Sequence, residues 1–348
     1  MHHAIPIARH LVLLGLALAA LGSQPARAWD YEGHRVINQL ALAALPTNFP
    51  AFAHSPGAQE RIAFLSGEPD RWRNVPDLAV RHGNGPDHYL DLEELAGYGL
   101  KPADLTPFRY DFEAKLALVR AAVPEKFVAP DPARNEDHTR QLVGLLPWTL
   151  AEYYGKLKAA FAYLRALQEN GGTPAEIQNA QENVLYLMGV MGHFAGDATQ
   201  PLHLTLHHHG WVGANPKGYA TNTSIHQWID GGYFAKTGGL DAARLKGRIH
   251  PAHVRPDSGK GLEIFGWIVP FLVEQHKLVE PLYQLDKAGK LNVEPGAPEG
   301  RAFLETQLVA GGQLLGDLWL SAWQHAPEDK FLKSRLAERA AAPPAAGK

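Results

Sequence analysis

Apolar residues along this chain recur three and four positions apart and almost never alternate, which commits it to helices packed on helices. Residues 33–45 show the pattern plainly, with Val36, Ile37, Leu40, Ala41 and Ala44 on one helical face. The same spacing predicts helices over residues 151–168, 174–197, 221–231 and 299–325, and a helix interrupted by Pro270 over 262–285. Pro and Gly clusters mark the joints at Gly67-Glu68-Pro69, Asn84-Gly85-Pro86, Gly171-Gly172-Thr173-Pro174 and residues 210–218. No internal repeat is visible. The expectation is an all-α, single-domain fold.

The first 28 residues have the form of a secretory signal: Arg9 and three histidines, an apolar run over 11–21, then small residues at Ala26 and Ala28. That run is too short to span a bilayer. A second apolar stretch, 264–279, contains Pro270 and carries Glu274, Gln275, His276 and Lys277, so it is expected to be a core helix. The predicted organisation is a signal peptide over 1–28, one domain over 29–339 and a disordered Ala/Pro-rich tail over 340–348. The mature protein is expected to be secreted or periplasmic, without stable membrane association. About 320 residues then remain, enough for a sizeable core.

A formal charge of -3 and a pI near 6.7 offer no bulk attraction to nucleic acid, so local cations must hold any polyanion. Cysteine is absent, which removes disulfides, thiolate ligands and thiol nucleophiles. Histidine is abundant, at 18 residues.

The densest constellation runs from His193 through Asp197 to His203. Positions i and i+4 share a helix face, so the His193 imidazole and the Asp197 carboxylate point the same way. Pro201 then ends the helix and lets His203 turn back toward the same space. His226 and Asp230 repeat the i,i+4 geometry. One such pair alone is more often a surface ion pair. Two of them with a third histidine suit zinc, which takes imidazole nitrogen and carboxylate oxygen at open catalytic sites.

At these residues the chain resembles the secreted zinc-dependent single-strand-specific nucleases and 3′-nucleotidases of fungi and plants, with their bacterial relatives. The resemblance also rests on Trp29 with Gly33-His34, Asp70 with Arg73, His88-Tyr89-Leu90-Asp91, and Ala310-Gly311-Gly312-Gln313-Leu314, so it touches the whole mature chain. It implies the single-domain helical fold of the zinc phospholipase C/nuclease type with a trinuclear zinc cleft.

Carried over residue by residue, the resemblance implies one zinc at Asp70, His88, His193 and Asp197, and a second at His203, His226 and Asp230. The third would take His34, Asp197 as a bridge, and the amine and carbonyl of Trp29. Only cleavage after Ala28 frees that amine, since an amide nitrogen has no usable lone pair. Asp70 would also orient the attacking water. Arg73 would clamp a phosphate oxygen, its guanidinium fork being matched to phosphate; the competing reading is a surface salt bridge with Asp70 or Asp77. Tyr89 would stack on a base, and Asp91 would accept from a base edge. Single-stranded RNA and DNA and nucleotides are the implied substrates, hydrolysed to 5′-nucleotides, with 3′-phosphates removed from nucleotides.

Several features leave choices open. Asp77 and Asp87 rival Asp70 as the carboxylate ligand. The region between His88 and His193 is long for this resemblance and is expected to roof the cleft. His207, His208 and His209, in a Gly-rich loop, are expected to be solvated. Zinc phospholipase C shares the helical pattern and an N-terminal Trp, but the long interval from His203 to His226 and Asp230 in place of Glu favour the nuclease. A non-catalytic zinc-binding protein would have no use for Arg73 beside Asp70.

Overall fold

The computed structural model describes residues 29–294 and 296–342; the expected signal segment lies outside them. Among the described residues there are helices, turns and loops but no strand. α1 (Tyr31–Ala44) starts where the Asp30 side chain accepts from the Gly33 amide at 3.0 Å and stops at extended Leu45, ahead of Pro46. Three short helices follow, α2 (Pro56–Leu65), α3 (Glu68–Arg73) and α4 (Leu78–Asn84). Ser55 and Asp77 cap the amides of α2 and α4. α5 (Arg109–Ala122) lies in the long region after His88.

Two 24-residue helices come next, α6 (Leu146–Glu169) and α7 (Pro174–Asp197). The start of α7 is written locally: Thr173 accepts from the Glu176 amide, the Glu176 carboxylate accepts from the Thr173 amide at 2.7 Å, and Pro174 occupies the first turn. The chain continues through α8 (Ile225–Gln227), α9 (Tyr233–Lys236), α10 (Ala242–Lys246), α11 (Leu262–His276), α12 (Val279–Lys287), α13 (Pro298–Gln324) and α14 (Lys330–Ala341). α14 takes in the first two residues of the tail expected to be disordered and is followed by extended Ala342; residues 343–348 are outside the described residues.

Two expectations change. Residues 221–231 do not form one helix: α8 passes through a π turn, Trp228–Gly232, into α9. The reason is the docking of the chain start, because the Asp30 amide donates to the Asp230 carbonyl at 2.9 Å and a Cβ on Gly231 would collide with the Asp30 carboxylate. The interruption in 262–285 falls at Lys277 and Leu278, and Pro270 is carried inside α11. Buried Ile264, Phe265, Ile268, Val269 and Leu272 hold that helix together across the proline.

The centre of the molecule is α1, α6, α7 and α13, with α1 packed on α13 and α6 on α7. α13 also tethers the otherwise irregular segment before α11. Gln313, Asp317 and Ser321, four residues apart on one face, accept from the amides of His250, His253 and Arg255. No described helix is long and apolar enough to cross a membrane.

Candidate metal centre

Close approach of α1 to α7 builds the site. Gly189, Gly192 and Gly196 line one face of α7; a Cβ at Gly189 would sit 2.5 Å from the Leu65 Cβ, one at Gly192 would run into the Asn38 amide, and one at Gly196 would lie 2.6 Å from His34 Nδ1. The glycines let His34 of α1 stack on His193 of α7, ring centroids 3.9 Å apart. Asn38, one turn along α1, donates to the carbonyls of Ile62 and Gly189 at 2.7 and 3.0 Å and locks α1, α2 and α7 together.

Eight side chains then converge from distant parts of the chain into three groups able to hold a metal ion: His34 with Asp70 and His193, His88 with His193 and Asp197, and His203 with His226 and Asp230. The last group is the one the sequence assigns to a single ion. His34 groups with Asp70 and His193 while its Nε2 also stands 3.6 Å from Asp197, so the expected first and third sites run into each other through shared residues. Asp197 lies at their junction, its Oδ2 3.0 Å from His88 Nδ1 and 3.5 Å from His193 Nε2.

The local folding explains how each ligand is aimed. α7 delivers His193 and Asp197 one turn apart, and the turn Pro201–His203 brings His203 back to 3.9 Å from Asp197, as Pro201 predicts. His203 Nδ1 lies 2.7 Å from the His88 carbonyl and His193 Nδ1 2.7 Å from the Ser66 carbonyl. Donation by each Nδ1–H leaves Nε2 as the lone-pair atom facing the cluster, the orientation that metal-binding histidines use. Gln200 does the same for Asp230, donating from Nε2 to Oδ1 at 2.6 Å while its own Oε1 accepts from the Leu202 amide.

The spacing fits metal ligation. Bonds of about 2.0–2.1 Å in a tetrahedron put neighbouring ligand atoms roughly 3.3 Å apart. His203 Nε2 and His226 Nε2 are 3.0 Å apart, and His226 Nε2 and Asp230 Oδ2 are 3.4 Å apart. Two buried carboxylate oxygens in these groups also have no hydrogen-bond partner among the described residues, Asp197 Oδ1 and Asp230 Oδ2. Leaving such groups unsatisfied is costly, and a divalent cation satisfies several at once.

Charge supports the same fit. Burial, reinforced by the nearby Arg73 guanidinium, drives the His88, His193 and His203 imidazoles well below their usual pKa, so they stay neutral as ligands must. Burial likewise pushes the carboxyls of Asp197 and Asp230 well up. Their ionised form needs a compensating positive charge.

Of the three rival carboxylates, only Asp70 joins the cluster. Asp77 caps α4 through the Val80 amide, and Asp87 pairs with Arg109 at 2.9 Å. Arg73 pairs with Asp70 through Nε at 2.8 Å, yet its field is felt by histidines and carboxylates of all three groups. The salt-bridge reading is therefore met with Asp70 as the partner, at a largely buried rather than a surface position. Trp29 is fully buried, its indole N–H donating to the Gly196 carbonyl at 3.1 Å, next to Asp197.

Tyr89 is half-buried with its hydroxyl donating to the Leu142 carbonyl at 3.2 Å, and Asp91 is buried, with its carboxyl pushed well up by burial and by Glu94 and Glu93. The long region forms a wall beside them, since the Asp91 amide bonds to the Val143 carbonyl and the Leu145 amide to the Pro86 carbonyl. His207 and His208 are partly exposed and held by local contacts. His207 stacks on Trp211 at 4.0 Å and accepts from the Val212 amide, and His208 Nδ1 meets the Thr205 carbonyl at 3.0 Å; His209 is the most exposed of the three.

The chain matches no protein-family model and no curated protein. Sequence reasoning passed over Gln200, Ser66 and Asn38. Gln200 sits inside the His193–His203 block, but nothing in its spacing points it at a residue 30 positions away.

Proposed function

We propose that this protein is a secreted zinc-dependent phosphoesterase that cleaves single-stranded RNA and DNA to 5′-nucleotides and removes 3′-phosphates from nucleotides. The observation that carries the proposal is the convergence of eight His and Asp side chains, all but Asp70 buried, into three adjoining metal-capable groups, with Arg73 paired to Asp70. His34, Asp70, His88, His193, Asp197, His203, His226 and Asp230 would hold three zinc ions, with the Trp29 amine and carbonyl completing one of them. Zinc there would supply a concentrated Lewis-acid charge against the phosphoryl oxygens.

The chain's own groups do the rest. Asp70, half-buried beside Arg73, orients the attacking water and accepts its proton. Arg73 clamps a phosphate oxygen with its guanidinium fork, exchanging part of its contact with Asp70 for the substrate. Tyr89 would serve as a stacking surface for a base adjoining the scissile phosphate and Asp91 as an acceptor at its edge.

The test is hydrolysis by protein beginning at Trp29, on denatured DNA, RNA, 3′-AMP and phosphatidylcholine, with and without chelator. Chelator-sensitive release of nucleotides and phosphate is expected. Lipid turnover without nucleotide release would move the assignment to a phospholipase, and bound zinc with no turnover would make the protein a metal carrier.

A further inference from the structure

A cleft of about 950 Å³ opens between the start of α5, the middle of α6 and the segment leading into α11. Its rim carries Phe108 and Tyr110, which are 59% and 85% exposed, with Arg109 between them and Lys260 opposite. Two large aromatic rings two positions apart are thus exposed at one cleft, more apolar surface than a lone surface residue leaves.

The platform under these rings is firm. Trp148, stacked on Phe112 at 4.3 Å, donates its indole N–H to the Thr106 carbonyl at 2.8 Å. Arg109 donates to Asp87 at 2.9 Å and to Thr149 at 2.7 Å, and its Nε is buried with no protein partner among the described residues. Asp87 directly precedes His88, so Arg109 of the cleft is hydrogen-bonded to the turn Gly85–His88 that carries one of the metal-capable histidines.

We propose that this cleft is an exosite for single-stranded nucleic acid, in which two unstacked bases lie on Phe108 and Tyr110 while another part of the same strand occupies the metal cluster. The inference rests on the nuclease reading above and adds to it a reason for preferring long strands. Aromatic faces accept any base, and a cation of the same cleft can meet a connecting phosphate. The cleft's cations Arg109, Lys158 and Lys260 face Asp111 and Glu152, and Lys158 is held by Asp257. Stacking therefore outweighs charge. Lys260 has no acidic partner among the described residues and is the cation left for phosphate.

The experiment compares wild type, Phe108→Ala/Tyr110→Ala and Tyr110→Trp on 3′-AMP and on oligothymidylate of about 16 nucleotides. Both rings are exposed, so folding is not at stake. KM for the strand is expected to rise between about fivefold and about 100-fold in the double variant, with 3′-AMP turnover unchanged and Tyr110→Trp behaving as wild type. Lys260→Ala should lower the salt slope of strand KM by about 0.7. Equal strand KM in wild type and double variant overturns the exosite, as does loss of binding to anionic vesicles with strand KM unchanged. If wild type hydrolyses neither substrate, the nuclease reading has failed. The cleft is then judged by the added fluorescence of Tyr110→Trp, which a phosphorothioate strand must quench saturably for the exosite to stand.

Discussion

His34 and His193 stack face to face, with centroids 3.9 Å apart and planes inclined by 22°, although 159 residues separate them in the chain. Gly196 makes this possible, because any side chain there would occupy the space of the His34 ring. Gly196→Ala is therefore expected to push α1 off α7, destabilising the protein by about 1–3 kcal/mol and lowering its zinc content. Thermal melts and metal analysis on the purified variant check both parts; an unchanged metal count would show that the two helices can separate without opening the cluster.

Gln200 spends both ends of its amide on fixing one carboxylate, with Nε2 on Asp230 and Oε1 on the Leu202 amide. Gln200→Leu keeps the bulk and removes the hydrogen bonds. The expected result is weaker metal retention by about 10- to 100-fold, read by competition with a chelator.

Arg73 cannot ligate a metal, so its role separates cleanly from that of its neighbours. Arg73→Ala should leave zinc content intact and lower kcat on 3′-AMP by about 100-fold or more, the scale seen when one donor to a developing anion is removed. Kinetics indistinguishable from wild type would remove the phosphate clamp from the mechanism.

Trp29 is packed with its indole against the Gly196 carbonyl. One additional residue in front of it turns the proposed amine ligand into an amide. Protein made with that extension is expected to fold, since the indole contact survives, but to hold less zinc and turn over more slowly than protein beginning at Trp29. Matching zinc counts in the two forms would exclude the terminus from the metal site.

Asp257 packs against α6, accepting from Tyr154 at 2.8 Å and from Lys158 at 2.5 Å. Burial works against its charge. The hydrogen bonds from Lys158 and Tyr154 and from the Gly259 and Gly261 amides outweigh that and hold the carboxyl at about 2. Because the folded value lies below the ordinary value of about 3.9, this contribution is fully present above pH ~4 and is lost as pH falls through about 2. Asp257→Asn should cost about 2 kcal/mol at neutral pH and flatten the acid limb of the stability curve, measured by urea titration between pH 7 and pH 2.

Much of this molecule could be read directly from the order of its residues. The phase of α1, α6, α7 and α13, the capping box at Thr173, the shared face of His193 and Asp197 and the return of the chain at Pro201 all follow from rules that act within about two helical turns. Other features were settled only by packing. Asp70 rather than Asp77 or Asp87 enters the cluster because a capping amide and Arg109 claim the other two. Gln200 reaches Asp230, Trp211 draws in His207, and the π turn after α8 makes room for Asp30. Helical spacing tells a residue which side of its own helix it faces. Which partner waits on that side depends on contacts made across tens to more than a hundred positions, and those exist only once the helices have been brought together.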